Sequence, residues 1–303
     1  MSASGPAGID WAGIVAPVVV ACSGGADSLG LLVAACEVML EPIAVHVDHG
    51  IRPGSEREAD RVHAAAARLG ARSHAVRAPV APGSNLEARA RDARYTVLEQ
   101  ARIELDATAV LVAHTADDQA ETVLLNLLRG AAATGLAGMP ARRGPVVRPA
   151  LGVRRTELRA LAAERGIVAF EDPSNTDLTH RRNWVRHEVL PRLTAGAARD
   201  LVPVLTRQAS VLRAESELLD ELADALLEAA GGQAPSARVL ADAHPALARR
   251  AVRRWLGHPP PSLSEVERVL AIARNERRAT ELAGGRRVCR RAGVLHQEVP
   301  WRP

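Results

Sequence analysis

The sequence contains no lysine: all 39 of its basic residues are arginine. A Schiff-base lysine and the lysine of a Walker-type phosphate loop are thereby excluded. Genomic base composition is the plain explanation of such a bias. Aromatic residues make up only 2% of the 303 residues, although hydrophobic residues reach 47%. The core must be mostly Ala, Val and Leu, and few rings are left to stack on bases, among them Trp184, Trp255, Trp301, Tyr95 and Phe170. The three cysteines, Cys22, Cys36 and Cys289, form no C-x-x-C pair, so their spacing suggests neither a zinc nor an iron–sulfur site. A sparse, odd cysteine count fits a reducing compartment. No run reaches the roughly 18 apolar residues that a membrane span needs, and residues 1–10 lack the basic start and apolar run of a secretion signal. The expectation is a cytoplasmic protein with no membrane attachment. No internal repeat is visible.

Length suits one large domain and a smaller one. Charge is unevenly spread between them. Residues 1–235 hold 25 arginines against 29 acids, and residues 236–303 hold 14 against 6. A basic tail on a mildly acidic body fits a polyanionic partner such as nucleic acid, and it equally fits a solvated arginine-rich surface.

The first half alternates short apolar runs with helical patterns. Strands are expected over residues 17–22, 43–47, 71–77, 108–113 and 146–151, with helices between them. Ser55 and Glu58 form a capping box for one helix, which Gly70 ends. Asn85 caps the next, and Gly130 ends the one after. This alternation predicts an α/β fold with a doubly wound parallel sheet. Beyond Asp172 the pattern changes to a polar loop, a helix over 180–193 and a long amphipathic helix over 205–229, where Leu205, Leu212, Leu219 and Leu226 recur every seven residues as a packing stripe. The expected domains are a catalytic domain over 1–200, a connecting helix and linker over 201–235, and a small basic, mostly helical module over 236–303 with a hairpin near 284–293.

Ser23-Gly24-Gly25-Ala26-Asp27-Ser28 lies between the first strand and its helix. Gly24 and Gly25 let the backbone close around an anion, and the helix start adds N–H groups and a favourable dipole. Ser23 and Ser28 offer hydroxyls. Asp27 would repel phosphate directly, so it reads as a Mg²⁺ ligand beside it. The loop is neither G-x-x-x-x-G-K-S/T nor G-x-G-x-x-G. It resembles the phosphate loop of the PP-loop ATP pyrophosphatases, which implies cleavage of ATP between its α- and β-phosphates.

Further motifs follow in order: His46-Val47-Asp48-His49-Gly50-Ile51-Arg52, Asn85-Leu86-Glu87, Ala90-Arg91-Asp92-Ala93-Arg94-Tyr95, His114-Thr115-Ala116-Asp117-Asp118-Gln119-Ala120-Glu121-Thr122, Arg129-Gly130, Gly135-Leu136-Ala137-Gly138-Met139, Arg148-Pro149, Glu171-Asp172-Pro173-Ser174-Asn175 and Arg182-Asn183-Trp184-Val185-Arg186. The set, over about residues 15–195, resembles the bacterial tRNA(Ile)-lysidine synthetases, in a short form with one added module. The resemblance implies adenylation of the C2 oxygen of the wobble cytidine in a CAU anticodon, then displacement of AMP by the ε-amino group of free L-lysine. The implied cofactors are ATP and Mg²⁺, and the implied partners are tRNA(Ile) and L-lysine. Oligomeric state is left open, with a homodimer among the options.

His114, Asp117, Asp118 and Glu121 fall at i, i+3, i+4 and i+7, one helical face. Asp118 and Glu121 carry over as the carboxylates that hold the lysine ammonium, Asp118 also as a second Mg²⁺ ligand beside Asp27, and His114 as a conceivable base. An acidic helix start favoured by the macrodipole is the structural alternative. Arg91 and Arg94, one turn apart, could meet phosphate or stabilise the transferring group. Arginines of the 172–186 segment could clamp the tRNA near the site or touch phosphates without reading sequence. The rival readings are a tRNA thiolase of the same superfamily, which would need sulfur-handling cysteines, and a catalytically silent RNA-binding protein.

Overall fold

The computed structural model describes residues 8–48, 50, 56–79, 86–170 and 176–298. Ser55, Asn85, His49, Arg52 and the 171–175 motif, all singled out above, lie outside the described residues. The chain divides into two compact units, Met1–Val211 and Leu212–Pro303.

The first unit is built on β1 (Val18–Ala21), β2 (Pro42–Asp48), β3 (Arg72–Arg77), β4 (Ala109–Leu111), β5 (Arg142–Arg143) and β6 (Val146–Val147). Their order in the sheet is β3-β2-β1-β4-β6-β5, parallel except for the edge strand β5. Val18, Val19 and Val20 are fully buried, as expected of a strand covered on both faces. On one face Val18, Val20 and Ala44 pack with Leu31, Leu32 and Ala35 of α1 (Ala26–Glu37), Val62 and Ala66 of α2 (Glu56–Arg68), and Leu158 of α6 (Arg155–Glu164). On the other, Val19, Ile43, Val45 and Val110 pack with Leu98 and Ala101 of α3 (Leu86–Glu104). The chain winds outward from β1 through β2 to β3, then returns to β4 on the opposite side. Adjacent β1 and β4 therefore form the topological switch point, where such sheets open a crevice at their C-terminal ends.

Close helix packing beside this point depends on Gly30. A Cβ there would lie 1.9 Å from the Leu158 carbonyl oxygen, so only glycine lets α1 and α6 approach this closely. The expected fifth strand is a short hairpin, β5–β6. Between β4 and β5 come α4 (Ala116–Leu128) and α5 (Ala133–Leu136). The helix expected over 180–193 is composite: α7 (Arg181–Trp184), a π-helical turn over Val185–Val189, and α8 (Leu190–Gly196). The π-turn packs Val185 against Ala116, Ala120 and Leu124 of α4.

The long helix α9 (Val202–Ala229) contains the division between the units. In the second unit its Ala223, Leu226 and Leu227 pack with α10 (Ala237–Asp242), α11 (Pro245–Leu256) and α12 (Leu263–Ala273). The rest of this unit is an antiparallel meander, β7 (Ala279–Glu281), β8 (Arg287–Arg291) and β9 (Val294–Glu298). The expected hairpin is thus part of a three-stranded sheet. Arg286, 7% exposed, donates to the carbonyls of Leu256 and Pro259 at 2.8 and 3.1 Å, satisfying the end of α11.

Candidate active site

At the C-terminal ends of β1, β2 and β4 lies a cavity of about 380 Å³, lined by Ser23, Gly25, Asp27 and Ser28 on one side and by Tyr95, His114 and Asp118 on another. The loop before α1 is shaped by its own serines. The Ser28 hydroxyl donates to the Gly25 carbonyl at 2.9 Å and accepts from Ser23 N–H at 3.2 Å. Gly24 takes φ +82°, a conformation that disfavours side chains. Helix α1 begins at Gly25 without a side-chain cap, which leaves its first N–H groups available to an anion.

Helix α4 begins differently. Thr115 and Asp118 form a capping box: Asp118 Oδ2 accepts from Thr115 N–H and Oγ1–H at 2.8 and 2.7 Å. The acidic start read from the sequence therefore has a structural share. Asp117 faces α6, where it accepts from Arg154 Nε and Nη2, both at 3.2 Å, and from Arg155 N–H at 2.8 Å. His114 precedes the helix, in the segment joining it to β4.

Glu121 is completely buried. It accepts from Arg155 Nη2 at 2.9 Å, Arg182 Nε at 2.8 Å and Arg186 Nε at 2.7 Å. Asp118 Oδ1 shares all three guanidiniums, with Arg155 Nη2 at 2.9 Å, Arg182 Nη2 at 3.0 Å and Arg186 Nη2 at 3.5 Å. Burial alone would favour the protonated acid, but Arg155, Arg182 and the Thr115 N–H outweigh it and hold the Asp118 carboxyl well below its ordinary range. Asp27 joins the network from α1, accepting from Arg159 Nε at 2.7 Å and lying 3.6 Å from Arg155 Nε. The sequence reading missed Arg155 and Arg159 altogether. It placed Arg182 and Arg186 toward tRNA, whereas here they turn inward to Glu121.

A cationic group forms the other side. Arg91 and Arg94 flank the Tyr95 ring, their Cζ atoms 5.0 and 5.4 Å from its centroid. Arg91 Nη2 also donates to the Tyr95 hydroxyl at 3.3 Å. Burial resists ionisation of Tyr95, yet Arg91, Arg94 and Arg148 together bring its phenol below its ordinary range. Arg148, 5% exposed, donates from Nη1 to the Pro140 carbonyl at 2.9 Å and from Nε to His114 Nδ1 at 3.1 Å. Gln119 fixes the adjoining loop by donating to the Met139 carbonyl at 3.0 Å and accepting its N–H at 2.7 Å.

Two histidines line the cavity in opposite states. His46 Nδ1 lies 3.0 Å from the Cys22 carbonyl, which can only accept, so this nitrogen carries the proton. His114 Nδ1 faces a guanidinium, which can only donate, so here Nδ1 accepts. Burial first, and the Arg148, Arg182 and Arg91 charges with it, push the His114 pKa down to about 3 against the attraction of Asp118. At neutral pH the ring is uncharged and its proton sits on Nε2. The structure thus offers a donor where the sequence suggested a base.

A parallel sheet with a glycine-serine phosphate loop at its switch point and a carboxylate-arginine network beside it defines a PP-loop protein, and a family model described as a PP-loop domain matches residues 15–193. Among curated relatives, the tRNA(Ile)-lysidine synthase of Rhodococcus erythropolis is 44% identical over 241 residues, covering 79% of this chain and 73% of the relative. That of Salinispora arenicola is 42% identical over 309 aligned positions, covering 95% and 92%. Within the PP-loop class, the chain belongs to the tRNA(Ile)-lysidine synthase family. Among solved structures it resembles the U34-tRNA thiolase NcsA from Methanococcus maripaludis with its 4Fe–4S cluster, at a TM-score of 0.52 and 20% identity over 66% of this chain and 71% of that one, a likeness of fold.

Proposed function

We propose that this cavity binds ATP and carries out lysidine synthesis on tRNA(Ile). In the first step the C2 oxygen of the wobble cytidine in the CAU anticodon attacks the α-phosphorus. The bond to the β-phosphate breaks, and pyrophosphate leaves with the electron pair. In the second, the neutral ε-amino group of L-lysine attacks C2, AMP leaves with the C–O electron pair, and the amine loses a proton. The observation that carries this reading is the meeting, in one cavity, of the uncapped Ser23–Ser28 loop with His114 and Asp118.

The loop N–H groups and the Ser23 and Ser28 hydroxyls hold phosphate oxygens. When bound, Mg²⁺ would supply charge neutralisation on the pyrophosphate. Asp27 would hold it: among the described residues its Oδ2 takes no hydrogen bond and lies 3.6 Å from Arg155 Nε. Asp118 fits less well, since both its oxygens are engaged by Thr115 and arginines. Arg91 and Arg94 stabilise negative charge on the transferring group. Asp118, which faces the cavity, receives the lysine ammonium. Glu121 was expected to share that task, but it has no exposure to solvent and does not line the cavity, as Asp118 does. Its part is to anchor the three guanidiniums beneath Asp118.

A thiolase reading has less support. The Cys22 thiol lies beside the loop, but burial, with Cys36 adding to it, pushes its pKa up to about 12, far from a reactive thiolate. The second unit, with exposed Arg253, Arg274, Arg277 and Arg278, serves as a docking surface for the tRNA backbone.

The test is incubation of the full chain with ATP, labelled L-lysine and tRNA(Ile) bearing a CAU anticodon. Label is expected in the tRNA, dependent on ATP, with none in a tRNA whose wobble base is uridine. Absence of ATP-dependent label from a folded protein overturns the proposal.

A further inference from the structure

Arg148 sits in an unusual place for a guanidinium. It is 5% exposed, and among the described residues no carboxylate pairs with it. A buried cation without a counter-ion is costly and calls for a compensating role. Its partners are the Pro140 carbonyl, the Tyr95 phenol and His114 Nδ1. Gln119 locks the loop bearing Pro140 through both its amide atoms, so the guanidinium is held from behind and aimed at the imidazole.

A neutral imidazole has two tautomers, and a mobile ring samples both. Arginine has no acceptor, so a ring facing Arg148 Nε through Nδ1 can present only Nε2–H to the cavity. We propose that Arg148 is a positioning residue that locks His114 into its Nε2–H tautomer, so that His114 meets the transferring α-phosphoryl group as a hydrogen-bond donor. This rests on the reading of the cavity as an ATP site. The proton stays on Nε2 throughout, and the donor strengthens its bond as negative charge builds on the phosphoryl oxygens. An imidazole in the other tautomer would point a lone pair at those oxygens and repel them. His46 supplies a reference inside the same cavity, since the Cys22 carbonyl holds it in the opposite tautomer.

The experiment uses the full chain with ¹⁵N-labelled histidine rings, read by long-range ¹⁵N–¹H correlation near neutral pH without nucleotide. His114 is assigned by loss of its signals in His114→Gln. The expected result is Nε2–H for His114 and Nδ1–H for His46. In Arg148→Met the His114 signals should shift toward a mixture of tautomers while those of His46 stay in place. In the same variant tRNA-dependent pyrophosphate release should fall by roughly 10- to 150-fold, the scale of a lost charge-assisted hydrogen bond, mostly in kcat. If the His46 signals are also lost, Arg148→Gln, whose amide can donate or accept, is measured in its place, and the same shift at His114 is expected. Nδ1–H or doubly protonated His114 in the parent chain, or an unchanged Nε2–H signature in both variants, overturns the proposal. Because the tautomer is read without nucleotide, a failure of the ATP reading would appear separately, as a tautomer lock with no pyrophosphate release to lose.

Discussion

Arg182 and Glu121, 61 residues apart in sequence, meet through a 2.8 Å hydrogen bond from Nε to a carboxylate that has no exposure to solvent. Arg155 and Arg186 reach the same carboxylate from α6 and from the π-turn. One buried anion therefore ties two separate segments, α6 and the composite helix of α7 and the π-turn, to α4. Breaking a buried pair by removing one partner typically costs about 3–5 kcal/mol, because the other charges are left uncompensated. Glu121→Gln is expected to lose stability on this scale in urea unfolding. A loss within about 0.5 kcal/mol, as at an ordinary surface site, would show that solvent compensates the arginines.

Asp118 is expected to behave differently. It faces the cavity, and its proposed ligand is the lysine ammonium. Asp118→Asn should raise the lysine concentration needed for product by roughly 10- to 150-fold, while adenylated tRNA still accumulates when lysine is withheld. A variant that loses adenylation itself, with unaltered lysine dependence of the residual product, would assign Asp118 to ATP or Mg²⁺.

The contrast between these two carboxylates was not legible in the sequence. Spacing placed His114, Asp117, Asp118 and Glu121 together, and the structure keeps the three acids on α4. Spacing could not reveal that Asp117 turns to α6 or that Glu121 is enclosed by arginines, because those partners lie 34 to 65 residues away. Arg155 and Arg159 carry no local signal: they open an ordinary helix whose approach to α1 depends on Gly30. The Ser23–Ser28 loop was legible, because a buried strand, two glycines and a helix start are contiguous and local chemistry dictates their geometry. The parallel sheet followed from strand–helix alternation. The β5–β6 hairpin did not, since two-residue strands leave almost no periodicity. Arg148 was visible only as part of a dipeptide. Its meaning comes from the partners that burial brings to it.

In the second unit, Glu265 accepts from Ala283 N–H at 2.7 Å and from Ser262 N–H and Oγ–H at 2.8 and 2.7 Å. The Ala283 and Ser262 hydrogen bonds lower its pKa from an ordinary 4.5 to about 2. A carboxyl whose pKa is depressed in the folded state stabilises above its unfolded pKa and ceases to do so as pH falls through the folded value. Glu265→Ala should therefore cost about 1 kcal/mol at neutral pH, as for a lost helix cap. The gap to the parent chain should close between pH 4.5 and about 2. Thermal unfolding of both chains across that range checks it, and a gap independent of pH would contradict it.

Arg277 and Arg278 are exposed in the turn between α12 and β7. If this unit docks tRNA through phosphates, Arg277→Glu and Arg278→Glu should weaken tRNA binding. Each should also reduce the slope of log K against log salt by about 1, with ATP binding unaltered. Equal slopes for parent and variants would move the docking surface elsewhere.

The proposed reaction begins with cleavage of ATP between the α- and β-phosphates at the Ser23–Ser28 loop and its Asp27. Pyrophosphate release is measured with tRNA(Ile), ATP and Mg²⁺ but no lysine, in the parent chain and in Asp27→Asn. Stoichiometric release by the parent is expected, with the tRNA trapped as its adenylate. A loss of roughly 100-fold or more is expected in a folded Asp27→Asn, the scale of removing an electrostatic group at a reacting centre. Full release by that variant, or release of phosphate in place of pyrophosphate by the parent, would contradict the proposed reaction.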